Sequence, residues 1–225
     1  GKYVEKPDAY LSIAMSLIHS AIAENVWVEP VYIQSGSLNP DDTSALDLVD
    51  GIIIPGGFGH SGFEGKIVAA RYAREHDVPT LMIGLGAEAG LVEYARDVMG
   101  KDADSTEFEK KTPYPVVTRR NDGNSFRKGA FITRLAADSR LAKIYGKTEI
   151  GERHRHKYEF NKAYVADFKK AGLRFVGESK DGKLPEAYEL DDKKFYVGVI
   201  YHPEYLSRPT NPHPLFNAFV EACKK

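Results

Sequence analysis

The spacing of apolar residues near the N-terminus predicts the first helix. Residues 8–24 read "DAYLSIAMSLIHSAIAE", where apolar side chains recur at helical intervals. Asp8, directly after Pro7, is a suitable N-cap for this helix. The apolar positions that fall on one helical face are Leu11, Ala14, Met15, Ile18 and Ile22.

Strand and helix patterns alternate through the next part of the chain. Strands are predicted at 26–33, 51–57 and 79–83, and helices at 64–77 and 87–99. The run "GIIIPGG" at 51–57 is too continuously apolar to have a wet face, which is typical of a central parallel strand. The alternation predicts an α/β fold, doubly wound, with a mostly parallel central sheet and helices on both faces.

The second half of the chain starts with mixed signals. Residues 100–135 combine loop-like and strand-like stretches with an Asp-Gly turn in "RRNDGNS", so we expect a surface excursion there. "SKDGK" at 179–183 is a candidate hairpin turn. Helices are expected at about 137–145, 162–171 and 213–223, and strands at about 173–178, 185–190 and 195–200.

Composition favours one globular domain of 225 residues, with 42% hydrophobic and 28% charged residues. A formal net charge of −1 gives no general attraction to nucleic acid or to an anionic membrane, so neither partner is expected. Cys223 is the single cysteine, which excludes an internal disulfide and favours a reducing compartment. No apolar run approaches the ~20 residues that span a bilayer, and we expect a cytoplasmic protein.

Three loops follow predicted strands, where ligands bind in open α/β sheets. The glycine-rich "PGGFGHSGFEG" at 55–65 lets backbone N–H groups approach a ligand, or is simply a tight turn. The stretch "PTLMIGLGAEAG" at 79–90 has the layout of a nucleophile elbow, yet Gly84 stands at the turn. The third loop carries His202 and Glu204, which form either an oriented general base or an ordinary His-Pro turn with a surface carboxylate.

Six ordered blocks resemble the class I glutamine amidotransferase domains of CTP synthases. They are "GKYVEKPDAY", "IIIPGGFGHSGFEGKIVAARYAREHDVP", "DADSTEFE", "GERHRHKYEFN", "AGLRFVGES" and "FYVGVIYHPEYLSRPTNPHPLF". The resemblance implies a single flavodoxin-like α/β domain over 1–225, without a synthetase domain. It also implies a Cys-His-Glu triad that releases ammonia from glutamine through a thioester, with no cofactor and no metal.

The resemblance assigns roles to matching positions. His202 and Glu204 match the general base and its orienting carboxylate. Gly57 and Leu85 match the oxyanion hole, and Gly57 and Phe58 border the substrate. Glu107 matches the residue that holds the α-amino group of the substrate.

Three positions depart from the family pattern. Where the family has a motif like "GICLGMQ", this chain has "MIGLGAE", so Gly84 replaces the nucleophilic cysteine and Glu88 replaces a substrate-binding glutamine. Lys157 replaces the arginine that grips the α-carboxylate, exchanging a bidentate fork for a point charge. The segment 119–135 also lacks the family's glycine-rich stretch. Ser61 and Tyr201 are the nearest hydroxyl groups in the site loops, and neither stands at the elbow.

Two functions therefore stay open. One is a domain that cannot hydrolyse glutamine through a thioester and binds an amino-acid or amide-like small molecule, or a synthetase-like protein partner, as a monomer or a homo-oligomer. The other is a hydrolase of amide or γ-glutamyl compounds in which His202, with Glu204 and Glu88, activates water.

Metal sites are weaker alternatives. One would combine Glu88, Glu107, His202 and Glu204. The other rests on "ERHRHKYE" at 152–159, which alternates as a strand does. There His154, His156 and Tyr158 share one face, while Arg153, Arg155 and Lys157 share the other; a polar, hydrogen-bonded strand explains the two histidines better than metal binding.

Overall fold

The structure, a computed structural model, describes residues 1–6, 8–120 and 126–224. Its helices are α1 (Leu11–Ala23), α2 (Phe63–Glu75), α3 (Leu85–Asp97), α4 (Arg140–Tyr145), α5 (Val165–Ala171) and α6 (Pro214–Cys223). Its strands are β1 (Ile52–Ile54), β2 (Thr80–Ile83), β3 (Ala103–Ser105), β4 (Tyr114–Arg119), β5 (Arg127–Leu135), β6 (Glu149–His156), β7 (Tyr158–Phe160), β8 (Arg174–Ser179), β9 (Pro185–Glu189) and β10 (Tyr196–Val199). Within these residues no helix is long and apolar enough to cross a membrane.

The main sheet has seven strands in the order β1-β2-β10-β9-β8-β5-β6. β2 pairs in parallel with β1 and β10, and the remaining pairs in the sheet are antiparallel. β3, β4 and β7 form a second, small sheet. The carboxyl ends of β1, β2 and β10 consequently meet at one edge, where the three candidate loops begin.

Two apolar clusters lie on opposite faces of the main sheet. One packs α2 and α3 against it through residues such as Ile67 and Leu91, and the other packs α1, α4 and α6 through residues such as Leu17 and Phe216. The α/β class, with helices on both faces of the main sheet, is confirmed. The hairpin predicted at 179–183 is also confirmed, because β8 and β9 are antiparallel neighbours and Gly182 has a positive φ of 70°.

The first helix differs from its prediction in two ways. It begins at Leu11 rather than at 8, and its N-cap is Tyr10, so the capping role predicted for Asp8 is wrong. The face of α1 that carries Leu11 and Ile22 is exposed. The buried face of the helix instead carries Ser16, Leu17, His19, Ser20 and Ala21, and His19 Nδ1 lies 3.0 Å from Ser207 Oγ.

The strand predicted at 26–33 does not form. The sheet ends at β1, and the 26–33 segment pairs with none of the strands in the described part of the chain. Pro30 also removes one backbone donor from its middle. Alternating apolar residues favour a strand only where a neighbouring strand satisfies their backbone groups.

The surface excursion predicted at 100–135 is wrong for its last part. β5 belongs to the main sheet and pairs with β6 from Arg127↔His156 to Arg134↔Glu149. A hydrophobicity pattern misses β5 because four of its nine residues are polar, and two of these, Arg127 and Thr133, are buried. The Asp-Gly turn predicted in "RRNDGNS" lies outside the described residues.

Candidate functional site

The chain turns sharply between β2 and α3. β2 ends at Ile83, Gly84 has φ 54° and ψ −119°, and α3 begins at Leu85. The N–H of Gly84 donates to Val199 O at 2.8 Å, which ties the turn to the end of β10. A strand-to-helix elbow is therefore present at Gly84, in a positive-φ region that glycine adopts without strain.

His202 and Glu204 follow β10 and form a buried pair. His202 Nδ1 lies 2.8 Å from Glu204 Oε1, and both side chains are buried. A carboxylate accepts a hydrogen bond, so the neutral imidazole carries its proton on Nδ1 and leaves Nε2 with a free lone pair. Stacking on Tyr205, with ring centroids 5.0 Å apart, further fixes the ring. This is the geometry of an oriented general base.

The lone pair of His202 faces Gly84. A Cβ built on Gly84 would lie 3.4 Å from Nε2 and 3.3 Å from Cε1 of His202. In the described part of the chain, no thiol or hydroxyl forms a hydrogen bond with His202. Tyr201 is fully buried with its hydroxyl 3.4 Å from that of Tyr145, and Ser61 lies outside the cleft lining.

Tyr188 connects the start of α3 to β10, the strand that precedes His202. Its hydroxyl donates to Ala87 O in the first turn of α3 at 2.7 Å. Its ring lies across Gly198 of β10, its cross-strand neighbour, where no Cβ would fit. Tyr188 therefore links α3, which follows Gly84, to β10, which precedes His202.

The glycine-rich loop after β1 is held by the N-terminal residues. Lys2 Nζ donates to the carbonyls of Phe58 and Gly59, both at 2.6 Å, and the Tyr3 hydroxyl donates to Phe58 O at 3.3 Å. The N–H of Gly59 donates to Glu107 Oε1 at 3.2 Å. These bonds fix the loop backbone and place Glu107 at the rim of the cleft.

Glu88 is buried one turn into α3. Its Oε2 has no hydrogen-bond partner within the described residues. Burial, followed by the charges of Glu107 and Glu159, raises the pKa of Glu88 well above its usual range. The environment thus favours a protonated carboxyl, which can donate a hydrogen bond as an amide does.

The predicted alternation of β6 is confirmed for the cationic face and the two histidines. Arg153, Arg155 and Lys157 are exposed, and His154 and His156 are buried. Lys157 and Arg155 border the cleft.

His154 and His156 form a hydrogen bond with each other. His156 Nδ1 donates to Tyr158 O at 2.8 Å, so its Nε2 accepts from His154 Nδ1 at 2.9 Å. Burial is the main reason that the pKa of His154 lies far below its usual value and that of His156 falls to about 3. Within the described residues, no group of three or more potential ligands is placed to hold a metal ion.

One cleft of about 230 Å³ collects the residues that the sequence singled out. They are Gly57, Phe58, Gly84, Leu85, Glu88, Glu107, Lys157, His202 and Glu204. The N–H of Leu85 is at the start of α3, where donors have no acceptor within the helix. Sequence reasoning missed Tyr3, Arg155, Tyr158 and Tyr205, which also line the cleft. Two of these, Tyr158 and Tyr205, directly follow the predicted site residues Lys157 and Glu204, and that adjacency was a usable signal.

A family model, glutamine amidotransferase class-I, matches residues 6–222. The chain belongs to the class I glutamine amidotransferase family. It is 46% identical to a CTP synthase of Streptococcus equi subsp. equi and 43% identical to one of Syntrophus aciditrophicus, over 100% and 99% of its own length. It covers 44% and 43% of those two proteins, so it spans less than half the length of these amidotransferase relatives.

One solved structure gives the same family, and a second shows the fold alone. The amidotransferase domain described here superposes on the glutaminase domain of Trypanosoma brucei CTPS, which has acivicin bound, with a TM-score of 0.93 and 35% identity. That match covers 99% of this chain and 91% of the other. A putative GMP synthase protein of Thermoplasma acidophilum shares the fold, with a TM-score of 0.61 and 16% identity.

Proposed function

We propose that this amidotransferase domain binds an amino-acid or amide-like ligand and does not hydrolyse glutamine through a thioester. The proposal rests on one observation, the position of Gly84 opposite the ring of His202. The base and its carboxylate are oriented as acyl transfer needs, while the position that they face has no side chain. A hydrogen atom cannot attack a carbonyl.

The charges around the cleft support a zwitterionic ligand. Glu107 offers a carboxylate to an ammonium group, and Lys157 offers an ammonium group to a carboxylate. Glu88 is suited to bind an uncharged amide oxygen, because its environment favours the protonated form. A volume of about 230 Å³ fits a small molecule. The related Trypanosoma brucei domain holds acivicin, so acivicin is a suitable probe.

Calorimetric titration with glutamine and with acivicin tests binding. We expect Lys157→Gln and Glu107→Gln to weaken it at least about tenfold, the loss of one charge-assisted contact. Lys147→Gln, at an exposed position outside the cleft, should leave it unchanged. Equal binding by all variants, or no binding, would refute the site. Ammonia release from glutamine, measured in parallel, should not exceed that of His202→Ala.

A second candidate is direct hydrolysis by water. It is favoured by one observation: the Nε2 lone pair of His202 points to open space beside Gly84 rather than to a protein donor. Water at that point would be activated without a covalent intermediate. Amides, amino acids and γ-glutamyl compounds should be screened with the native chain and with His202→Ala. Equal hydrolysis rates for the native chain and His202→Ala on every compound would exclude this candidate.

We also propose a synthetase-like protein partner. The support is that the CTP synthases matched by this chain are more than twice its length. Copurification and sedimentation of the chain with such a protein test the proposal and reveal any homo-oligomer. Independent sedimentation of the two proteins at micromolar concentration would refute it.

A further inference from the structure

A second buried histidine–carboxylate pair lies outside the candidate ligand cleft. His213 Nε2 lies 2.9 Å from Glu152 Oε1, and the two residues are 5% and 2% exposed. Neither residue lines the cleft, so the pair contacts no ligand bound there. Its role has to follow from the elements that it joins.

The hydrogen bonds of His213 assign the position of its ring proton. His213 is the N-cap of α6, and its Nδ1 accepts from the N–H of Leu215 at 3.3 Å. The neutral ring consequently carries its proton on Nε2 and donates to Glu152. Glu152 Oε1 also accepts from the hydroxyl of Tyr145, at the end of α4, at 2.9 Å. One carboxylate on β6 thus binds the start of α6 and the end of α4.

Two adjacent residues of β6 hold both ends of the 202–213 loop. The N–H of His202 donates to Arg153 O at 2.8 Å, at the start of the loop. Glu152, the preceding residue of β6, accepts from His213 at the end of the loop. This loop carries both the histidine and the carboxylate of the cleft. Its two ends are therefore fixed on one strand.

Contacts inside the loop add to these two attachments. The N–H of His213 donates to Ser207 Oγ at 3.3 Å, and the same oxygen lies 3.0 Å from His19 Nδ1 on α1. Ser16 Oγ, also on α1, lies 3.4 Å from Glu204 O. These contacts join neutral groups. A buried carboxylate that loses a donor costs more than a neutral acceptor does, so losing the donor from His213 should disturb the loop most.

The position of the loop decides where the ring of His202 lies. Its Cε1 lies 3.3 Å from a Cβ built on Gly84 and 3.0 Å from one built on Gly56. The elbow at Gly84 is anchored separately, because its N–H donates to Val199 O. A shift of the loop would therefore move the ring away from the elbow rather than carry both together. Groups that act together in a site need to be held within about 0.5 Å of their productive positions.

We propose that Glu152 and His213 are positioning residues for His202. Their hydrogen bond fixes the 202–213 loop and so holds the ring of His202 against Gly84 and Gly56. A pair with only a structural role would stabilise the packing of α6 against β6 and leave the ring in place. The proposal concerns the position of His202 and is independent of the ligand proposed for the cleft.

Nuclear Overhauser effects from the ring of His202 test the proposal on the native chain and its variants. The proton on Cε1 should give strong effects to the α protons of Gly84 and Gly56, because these groups are close. Glu152→Ala removes the acceptor, while His213→Asn keeps a capping oxygen for α6 and removes the ring donor. The effect falls with the sixth power of distance, so a displacement of about 0.5–1 Å should weaken it at least about twofold in both variants.

Two further variants are matched controls. Glu152→Gln keeps an oxygen that accepts from His213 and Tyr145, so the native effects should be retained. Glu189→Ala removes another buried carboxylate, which accepts from two backbone N–H groups at the start of α4. That change should lower the free energy of unfolding without weakening the effects from His202.

Native effects in both Glu152→Ala and His213→Asn would overturn the proposal and leave a pair that only stabilises the fold. Equal weakening in Glu189→Ala would also overturn it, because general loosening of the protein would then explain the result. If Glu152→Ala does not fold, His213→Asn alone decides.

Discussion

Gly84 and His202 face each other across a gap that one side chain would fill. A Cβ on Gly84 would lie 3.3 Å from Cε1 and 3.4 Å from Nε2 of His202, a close contact with a ring that Glu204 already orients. Gly84 stands at the turn between β2 and α3, with φ 54° and ψ −119°. Under the function proposed above, a single substitution at Gly84 would supply an attacking group beside His202.

Gly84→Cys should restore covalent chemistry. The new thiol would adjoin the lone pair of His202, which can take its proton. We expect ammonia release from glutamine and a mass increase on the protein after exposure to acivicin. The free energy of unfolding should fall by about 1–3 kcal/mol, because a non-glycine residue would then occupy φ 54°. Urea denaturation measures that loss.

Two control variants separate the effect of the new thiol from the effect of backbone strain at Gly84. Gly84→Ala should show the same loss of stability without ammonia release, and the double variant Gly84→Cys/His202→Ala should keep the thiol but lose turnover. If Gly84→Cys folds and neither forms an adduct nor releases ammonia, the cleft lacks the arrangement that we describe.

The parts of the site that the sequence revealed are local ones. The buried run before Gly84 and the glycines around Gly57 are contiguous patterns, and each fixes a strand and its loop without outside help. His202 and Glu204 were found for the same reason, since they directly follow a buried strand. The resemblance to amidotransferases then placed these loops together.

The parts that the sequence did not reveal depend on distant neighbours. Lys2 contacts the loop carbonyls of Phe58 and Gly59, more than fifty positions away, and no local pattern encodes that contact. The 26–33 segment has strand-like residues but no strand beside it. The apolar residues of α1 follow helical periodicity, yet the structure packs another face of the helix. That face places Leu17 in an apolar cluster, and Ser16 and His19 form hydrogen bonds there.

Glu88→Gln should change how stability depends on pH. The pKa of Glu88 in the folded state is raised above its unfolded value of 4.5. Its contribution to the free energy of unfolding is therefore fully present below pH 4.5 and is lost as the pH rises through the folded-state pKa. Glutamine stays neutral throughout. Between pH 4.5 and the folded-state pKa, we expect the free energy of unfolding of the variant to rise relative to that of the native chain by about 1.4 kcal/mol per pH unit. Urea unfolding measures this difference. Glu149→Gln, at an exposed site, should show no such gain.

His154→Gln should make the protein less sensitive to acid. The pKa values of His154 and His156 are lowered by burial, and neighbouring Arg127 and Arg120 act in the same direction. A buried neutral histidine contributes to the free energy of unfolding above pH 6.5, and this contribution is lost as the pH falls through the folded-state pKa. Removing one such group should reduce the slope of unfolding free energy against pH by about 1.4 kcal/mol per unit below pH 6.5. His76→Gln, an exposed histidine, is the control, and an equal change in slope for both variants would contradict this account.

Gly198→Ala should loosen the strand that positions His202. The added Cβ would overlap the ring of Tyr188, and overpacking of a buried site costs about 1–3 kcal/mol. Gly151→Ala is the matched strand control, since its Cβ would meet only Ile132 Cδ1 at 3.8 Å and should cost little. Tyr188→Leu removes the ring, so the double variant should be more stable than the sum of the single losses predicts, by about 1 kcal/mol or more in a double-mutant cycle. Strict additivity would show that Tyr188 does not set the spacing between β10 and α3, and hence between His202 and Gly84.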